Sequence, residues 1–152
     1  MNILLVCTGN TCRSPMAEGI LKKLASGDRR FHILSGGLFA MEGEPASTNA
    51  VQALSEMGID ISAHTAKNVH EQVIRDADLI LTMTQAHKDM LIARFGREAA
   101  QKTDTLMSYA GMGTDVADPF GAGIDVYRQC AKTLEAALTA AFDKMRRSLH
   151  DI

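Results

Sequence analysis

Cys7, Arg13 and Ser14 form the pattern Cys-x5-Arg-Ser between a short apolar run and Pro15. Proline is a favoured first residue of a helix, so the pattern ends at a predicted helix N-terminus, where free N–H groups and the helix dipole attract anions. If the segment curls around a tetrahedral oxyanion, the Arg13 guanidinium can bind two of its oxygens while the Cys7 sulfur lies behind its central atom. The same positive surroundings favour the thiolate of Cys7, which is a nucleophile. The pattern therefore predicts attack of a cysteine on phosphorus.

The residues inside this pattern are small, polar and prone to turns. Gly9 and Asn10 tolerate the unusual backbone dihedrals that turn several N–H groups inward as a nest for an anion. We predict that the residues around the bound anion are Thr8, Gly9, Asn10, Thr11, Cys12 and Ser14. The segment has neither the lysine of a nucleotide-binding P-loop nor the three spaced glycines of a dinucleotide fingerprint, so it does not indicate nucleotide binding.

A thiolate that displaces a leaving group from phosphorus needs an acid that protonates the departing atom. Asp118 is our candidate, in an Asp-Pro-Phe sequence in which the proline stiffens the segment and Phe120 offers an aromatic wall. Asp-Pro also initiates turns, and spacing alone does not place Asp118 opposite Cys7. Asp115 and Asp125 are the competing carboxylates, for which we favour solvated or helix-capping roles.

Short apolar runs alternate with helical patterns along the whole chain. We predict strands at 3–6, 31–34, 79–82 and 103–106, and helices from Pro15 with Ser14 as N-cap, at about 46–57, 69–76 and 85–95, and along an apolar stripe from Tyr127 to Leu149. Ser35-Gly36-Gly37 is expected to break the second strand, and residues 108–123 are expected to form a loop. This alternation predicts a single α/β domain over residues 1–152, with three layers and a central four-stranded parallel sheet flanked by helices. The phosphate-binding loop follows strand 1, at the carboxyl edge where such sheets bind ligands.

Composition excludes several classes of protein. The chain has 152 residues, with 16 basic and 18 acidic side chains, and this near-neutral balance argues against a broad nucleic-acid-binding surface. Three cysteines are too few for a disulfide scaffold, and the spacing of Cys7 and Cys12 does not suit a zinc knuckle. His64, His70 and His87 share no ligand spacing, so we interpret them as surface or structural residues. Without an apolar run of about 18 residues or a basic leader, we expect no membrane association and a cytoplasmic location, where free thiols persist.

The string CTGNTCRSPMAE, together with the late DPF, resembles the low-molecular-weight protein tyrosine phosphatase family, and the resemblance covers the whole chain. It implies that Cys7 is the nucleophile that becomes a phosphocysteine, Arg13 the phosphate clamp and Asp118 the acid that later acts as base on water. By the same resemblance, Asn10 and Ser14 shape the loop and support the thiolate. Family members need no metal.

GNTCRSPMAE followed by DPFGAGIDVY is similar to the bacterial protein-arginine-phosphatase branch. Thr11 stands where tyrosine-directed members usually carry Ile or Leu, and Phe120 stands where many carry Tyr. A threonine hydroxyl can hydrogen-bond near a phosphoguanidinium, and a cationic guanidinium can stack on Phe120 and be held by Asp118. The expected function is therefore hydrolysis of phosphoarginine in proteins, with phosphotyrosine as the alternative substrate. Gly36, where the family usually has alanine, is a mild departure.

Cys12 lies in the same loop as Cys7, and the family shows disulfide pairing of two such thiols after oxidation of the nucleophile. The alternative for Cys12 is a packed small residue, and we interpret Cys130 as a core residue. Two other functions compete with the phosphatase. An arsenate reductase needs further cysteines, but residues 13–129 contain none. A non-catalytic module that binds phosphoproteins needs neither a nucleophile nor an acid.

Overall fold

In the computed structural model, which describes residues 1–150, a four-stranded parallel sheet lies between two layers of helices. The strands are β1 (Asn2–Cys7), β2 (His32–Gly37), β3 (Leu79–Thr82) and β4 (Thr103–Thr105), and their order in the sheet is β2-β1-β3-β4. The helices are α1 (Arg13–Leu24), α2 (Thr48–Ser55), α3 (Glu71–Asp76), α4 (Gln85–Phe95), α5 (Arg97–Ala100), α6 (Leu106–Tyr109) and α7 (Ile124–His150). The predicted three-layer α/β fold is confirmed.

The apolar run in β1 is buried because it supplies both faces of the sheet. Ile3 and Leu5 pack into one hydrophobic core, with α1, α2 and α7. Leu4 and Val6 point the other way, into a smaller core with α3 and α4. This alternation fixes β1 at the centre of the sheet and leaves its carboxyl end, at Cys7, rigidly positioned.

The predicted apolar stripe on α7 is buried along nearly its whole length. Its buried members are Tyr127, Cys130, Leu134, Ala137, Leu138, Ala141 and Met145. Leu149, near the end of the helix, is only partly buried. Long-range packing of α7 on α1 therefore anchors the helix that begins at the predicted phosphate loop.

Two of the predicted boundaries that differ from the structure lie beside the phosphate loop. The Ser35-Gly36-Gly37 segment continues β2 rather than breaking it, because Gly36 and Gly37 pair with Val6 and Cys7. A side chain at Gly37 would meet the Thr8 carbonyl oxygen at 2.6 Å, so glycine permits the loop to pack directly on the strand.

The second error concerns the start of α1. Ser14 is not its N-cap; the helix begins at Arg13, and Cys12 occupies the cap position without a side-chain hydrogen bond to the helix. Elsewhere, β3 and α4 have the predicted bounds, whereas Leu106 begins the short helix α6 instead of ending β4, because the Thr105 hydroxyl accepts from the Ser108 N–H. Within residues 1–150 no helix is both long and apolar enough to cross a membrane.

Candidate active site

The phosphate loop, residues 7–14, connects β1 to α1 at the carboxyl edge of the sheet. The neighbours of β1 are β2 on one side and β3 on the other, so successive connections run in opposite directions from it. Such a reversal of strand order opens a crevice beyond the strand ends, which is the usual ligand site of an open parallel sheet. No hydrogen bond within residues 1–150 uses the backbone N–H groups of residues 9–13, so these donors remain available to an anion.

Asn10 holds the loop in its curled form. It is fully buried and has a backbone φ of 56°, in the left-handed region that asparagine tolerates better than most residues. Its side-chain amide donates to Ser14 Oγ at 2.8 Å and to Ser35 Oγ at 3.0 Å, and its side-chain carbonyl accepts from the Lys67 N–H at 3.0 Å. Its backbone carbonyl lies 2.8 Å from His64 Nε2. These contacts offset the strain of the left-handed conformation.

Cys7 Sγ lies 2.8 Å from Ser14 Oγ. The Ser14 oxygen already accepts from the Asn10 amide, so its own proton is free to be donated to sulfur. A hydroxyl that donates to sulfur stabilises a thiolate more than a thiol. The three side chains therefore form a directional chain, from the Asn10 amide through Ser14 to Cys7.

Arg13 is 5% exposed, and its guanidinium is held from one side. Nη1 donates to the Val116 carbonyl at 2.9 Å, and the Val116 N–H in turn donates to the Met83 carbonyl next to the end of β3. Nη2 lies 3.5 Å from Asp118 Oδ2, which is longer than a strong hydrogen-bonded pair. The other edge of the guanidinium can therefore face an oxyanion while Val116 keeps its plane fixed.

The predicted nucleophile, clamp and acid line one cavity of about 250 Å³, together with Phe120. The remaining lining residues are Thr8, Gly9, Thr11 and Cys12. Asp118 is half exposed, and its Oδ1 accepts from the Phe120 N–H at 3.0 Å, which stabilises the turn after the proline. Phe120 itself is 77% exposed at the rim of the cavity.

Asn10 and Ser14, the two other residues predicted around the anion, are fully buried and support the loop from behind. The competing carboxylates are used elsewhere. Asp115 Oδ1 accepts from the Gln85 N–H at the start of α4, and Asp125 pairs with Arg128 on the exposed side of α7.

Cys12 is buried at the base of the cavity in a partly polar niche. Its sulfur lies 3.3 Å from the Tyr127 hydroxyl and 3.5 Å from Ser47 Oγ. Cys7, Cys12 and Cys130 are all free thiols. Burial raises the pKa of the Cys130 thiol to about 12, so this cysteine remains a neutral core residue.

Sequence reasoning missed the two histidines that contact the phosphate loop. His70 caps α3 as a structural residue, but His64 contacts Asn10 and His87 contacts Thr8. One signal was available for His87: it lies three residues after Thr84, a good N-cap, in the helix that follows β3 at the same sheet edge. Within residues 1–150, no group of three or more His, Cys, Asp or Glu side chains is arranged to hold a metal ion.

A buried cysteine at the end of a parallel strand, an anion-binding loop and an arginine that shares its cavity with a carboxylate define the class of cysteine-dependent phosphatases. The family model for low molecular weight phosphotyrosine protein phosphatases matches residues 2–150, and the chain belongs to this family. The resemblance stated from the sequence is confirmed.

Similar proteins carry two kinds of name. The chain is 40% identical over 149 residues to a protein-arginine-phosphatase of Bacillus subtilis, covering 97% of this chain and 98% of that one. It is 43% identical over 129 residues to the low molecular weight protein-tyrosine-phosphatase PtpB of Staphylococcus epidermidis, covering 85% and 88%. A solved structure of a cysteine-to-serine mutant of the arginine phosphatase YwlE, with a phosphorylated active-site serine, superposes with a TM-score of 0.91 at 39% identity and covers 96% of each chain.

Proposed function

We propose that this protein hydrolyses phosphoarginine in phosphorylated proteins through a phosphocysteine intermediate. One observation carries the proposal: the Cys7 sulfur, the Arg13 guanidinium and the Asp118 carboxyl group line the same cavity of about 250 Å³. The near-full-length similarity to a protein-arginine-phosphatase supports phosphoarginine as the substrate.

In the first step, the Cys7 thiolate attacks phosphorus while the loop N–H groups and the free edge of the Arg13 guanidinium bind the equatorial oxygens. The bond between phosphorus and the guanidinium nitrogen of the substrate breaks, and Asp118 gives its proton to that nitrogen. The products are an unmodified arginine and a phosphocysteine. Ser14 stabilises the sulfur before attack and again when it leaves.

In the second step, Asp118 is ionised and takes a proton from a water molecule that attacks the phosphocysteine. The sulfur–phosphorus bond breaks, Cys7 returns as a thiolate and inorganic phosphate is released. The half-exposed position of Asp118 gives water access to this carboxylate, while the buried thiolate is reached only through the cavity. A metal ion has no part in either step.

We infer that phosphoarginine selection rests on the side chains of two lining residues, Thr11 and Phe120. Thr11 offers a hydroxyl within a cavity that otherwise fits any phosphoryl group, and exposed Phe120 offers a face on which a planar guanidinium can stack. Phosphotyrosine is the second candidate substrate, because a relative of 43% identity is named a protein-tyrosine-phosphatase.

The substrate is tested by comparing kcat/KM on a phosphoarginine peptide and a phosphotyrosine peptide of the same sequence, in the presence of EDTA. We expect a preference of about a hundredfold for phosphoarginine, which corresponds to roughly 2.7 kcal/mol of differential transition-state binding. Thr11→Ile should reduce this preference, and Thr65→Ile, which lies outside the cavity, serves as the control. An equally large preference for phosphotyrosine would leave the mechanism intact and assign the protein to the tyrosine-directed members.

The nucleophile is tested with Cys7→Ser. Turnover should fall by at least about a thousandfold, because a serine hydroxyl is a far weaker nucleophile than a thiolate. Binding of inorganic phosphate, measured by calorimetry, should remain, because the loop and Arg13 are untouched. Cys130→Ala, which removes a neutral core thiol, is the matched control. Unchanged turnover in Cys7→Ser would reject the mechanism.

We also propose that Cys12 protects Cys7 by forming a disulfide with it after peroxide oxidation. The shared loop and the free state of both thiols support this pairing. Mass spectrometry of peroxide-treated protein should show the Cys7–Cys12 linkage, and the Cys12→Ser variant should instead accumulate sulfonic acid on Cys7. If the peroxide-treated protein without substitutions carries a sulfonic acid on Cys7 and a free Cys12, the proposal is contradicted.

A cytoplasmic location and phosphorylated proteins as the only macromolecular partners complete the proposal. A nucleophilic thiol favours a reducing compartment, and a net charge of −2 offers no broad surface for nucleic acid. Cell fractionation with an antibody against this chain tests the location, and recovery in an extracytoplasmic fraction would overturn it.

A further inference from the structure

His87 is a buried titratable residue that the reaction steps above do not use. It lies in the first turn of α4, where its backbone N–H donates to the Thr84 hydroxyl at 3.1 Å. Its side chain reaches the phosphate loop, and Nε2 lies 2.7 Å from Thr8 Oγ1. The residue is 6% exposed, and Nδ1 is buried with no hydrogen-bond partner within residues 1–150.

The unpartnered nitrogen indicates which tautomer is present. If Nδ1 carried the proton, a buried N–H donor would lack an acceptor, and such orphaned donors are rarer in proteins than unfilled acceptors. The proton therefore belongs on Nε2, which donates to Thr8 Oγ1. In this arrangement the Thr8 oxygen is an acceptor towards His87, and its own O–H is free to be donated elsewhere.

Thr8 follows Cys7 directly and lines the cavity. A phosphoryl group bound there offers only acceptor oxygens, so a free O–H at the rim attracts it. In the opposite tautomer, the Thr8 proton would be used on the histidine and the hydroxyl would face the phosphoryl oxygens with its lone pairs. The direction of a single hydrogen bond thus decides whether Thr8 binds or repels the substrate.

We propose that His87 is a positioning residue: its Nε2–H fixes the Thr8 hydroxyl so that the Thr8 proton is donated to the phosphoryl group in the cavity. The proposal adds a donor to the anion site and rests on the proposed phosphatase function.

The charged groups around His87 keep it in the required neutral form. Burial and the positive charge of Arg13 lower the pKa of His87 to about 4, against smaller opposite effects of Asp118 and Asp115. Protonation would place an N–H on Nδ1, which is buried without an acceptor, and a positive charge near Arg13. At neutral pH the single Nε2–H is therefore available for Thr8.

The test separates the role of the Nε2–H from packing. His87→Gln keeps an amide N–H at a similar reach, whereas His87→Leu has similar bulk and no donor. With a small aryl phosphate as substrate, His87→Leu should lower kcat/KM about tenfold and weaken inorganic phosphate binding in calorimetry, while His87→Gln stays within about threefold of the original protein. His32→Gln, at the far end of β2, is the matched control.

Variants of Thr8 complete a double-mutant cycle with those of His87. Thr8→Val should lose about tenfold in kcat/KM, and Thr8→Ser, which keeps the hydroxyl, should lose clearly less than Thr8→Val. In the Thr8→Val background, His87→Leu should cost less than about twofold more, because its partner is already gone. The proposal is overturned by equal losses in His87→Leu and His87→Gln, by a full His87→Leu loss in the Thr8→Val background, or by a Thr8→Val enzyme that is as active as the original.

Thr8→Val and Thr8→Ser change an exposed side chain, so they remain informative if the His87 variants fold poorly. A chain that turns over neither the aryl phosphate nor a phosphoarginine peptide would instead contradict the proposed function. In that case the phosphate-binding measurements still decide whether His87 acts through Thr8.

Discussion

The two walls of the cavity are built in opposite ways. The phosphate-loop wall is built on buried residues that the rest of the fold holds in place: Asn10 is 0% exposed, Cys7 3% and Arg13 5%. The opposite wall exposes the side chains of Asp118 and Phe120, with Pro119 buried between them, and is held chiefly by one local turn and a 3.5 Å approach to Arg13. Both walls line the same cavity, but only the phosphate-loop wall is rigid.

The difference separates two tasks of a phosphatase. The phosphoryl group is the same in every substrate, so a preorganised set of donors can be fixed in advance and need not rearrange during the reaction. The leaving group varies between substrates. The Asp118–Phe120 wall protonates and contacts the leaving group, and its few other contacts place few constraints on substitution of its residues. Proteins of one fold that are named for phosphoarginine and for phosphotyrosine are therefore expected to differ at the exposed wall and at Thr11, the phosphate-loop side chain to which we assign a role in substrate selection.

The largest effect should follow a change in the rigid wall. Arg13→Lys removes the bond to the Val116 carbonyl and replaces a planar fork with a single ammonium. We expect kcat/KM to fall about a thousandfold for every phosphorylated substrate. Arg75→Lys, on exposed α3, is the control. A loss confined to one kind of substrate would contradict the separation of the two walls.

A smaller and substrate-dependent loss is expected for Asp118→Asn in the exposed wall. The change removes the proton donor, so kcat should fall about a hundredfold on a phosphorylated peptide and much less on an aryl phosphate whose leaving group needs no proton. Steady-state kinetics on both substrates measure this difference. Asp125→Asn is the matched control, and equal losses on the two substrates would argue against acid catalysis by Asp118.

His87, which packs against the phosphate loop, should also make the stability of the protein depend on pH. The pKa of His87 is lowered from its ordinary 6.5 to about 4, so below pH 6.5 the unfolded chain binds a proton that the folded protein does not. Stability is therefore lost as the pH falls from about 6.5 towards 4, and between pH 7 and 5 this residue should cost about 2 kcal/mol of unfolding free energy. Denaturant titrations at both pH values measure the loss. His87→Gln should remove this component, and an unchanged pH dependence in the variant would contradict it.

The smallest effect is expected at the rim. Phe120 is 77% exposed, so Phe120→Leu should leave the melting temperature unchanged and raise KM for a phosphoarginine peptide only a few-fold, by loss of a stacking contact of about 1 kcal/mol. Inorganic phosphate affinity should not change. Met112→Leu, another exposed apolar residue, is the control. A large loss of phosphate affinity in Phe120→Leu would show that the two walls are coupled.

The sequence was sufficient for the features that depend on local pattern. Alternating apolar runs predicted the four parallel strands, and Gly96 after the helical stretch 85–95 predicted the end of α4. It was insufficient where tertiary contact overrides local preference. Gly36 and Gly37 read as a break, yet they pair with β1 because the loop needs a strand without side chains beside it. Ser14 reads as a helix cap, but its hydroxyl is used on Cys7.

The same limit applies to the candidate site. Cys7 and Arg13 are joined by a short loop, so their proximity could be predicted. Asp118 was chosen as the acid from its Asp-Pro-Phe context and the family pattern agreed, but spacing alone did not place it in the cavity of Cys7, where the structure has it. The contact of His87 with Thr8 spans 79 positions, and although the Thr84 cap places His87 in the first turn of α4, neither segment indicates that the two side chains meet. Such contacts require the three-dimensional arrangement of the sheet.

The partners of Asn10 have a consequence for the order in which the protein folds. They lie 4, 25, 54 and 57 positions further along the chain, so the left-handed turn at Asn10 is stabilised only after β2 and the segment near Lys67 have docked. Closing such long loops is slow compared with forming a helix. The nucleophile Cys7 is synthesised 111 residues before the acid Asp118. A chain still being translated thus contains the nucleophilic thiol before it can act as a phosphatase. The appearance of activity marks the completion of folding.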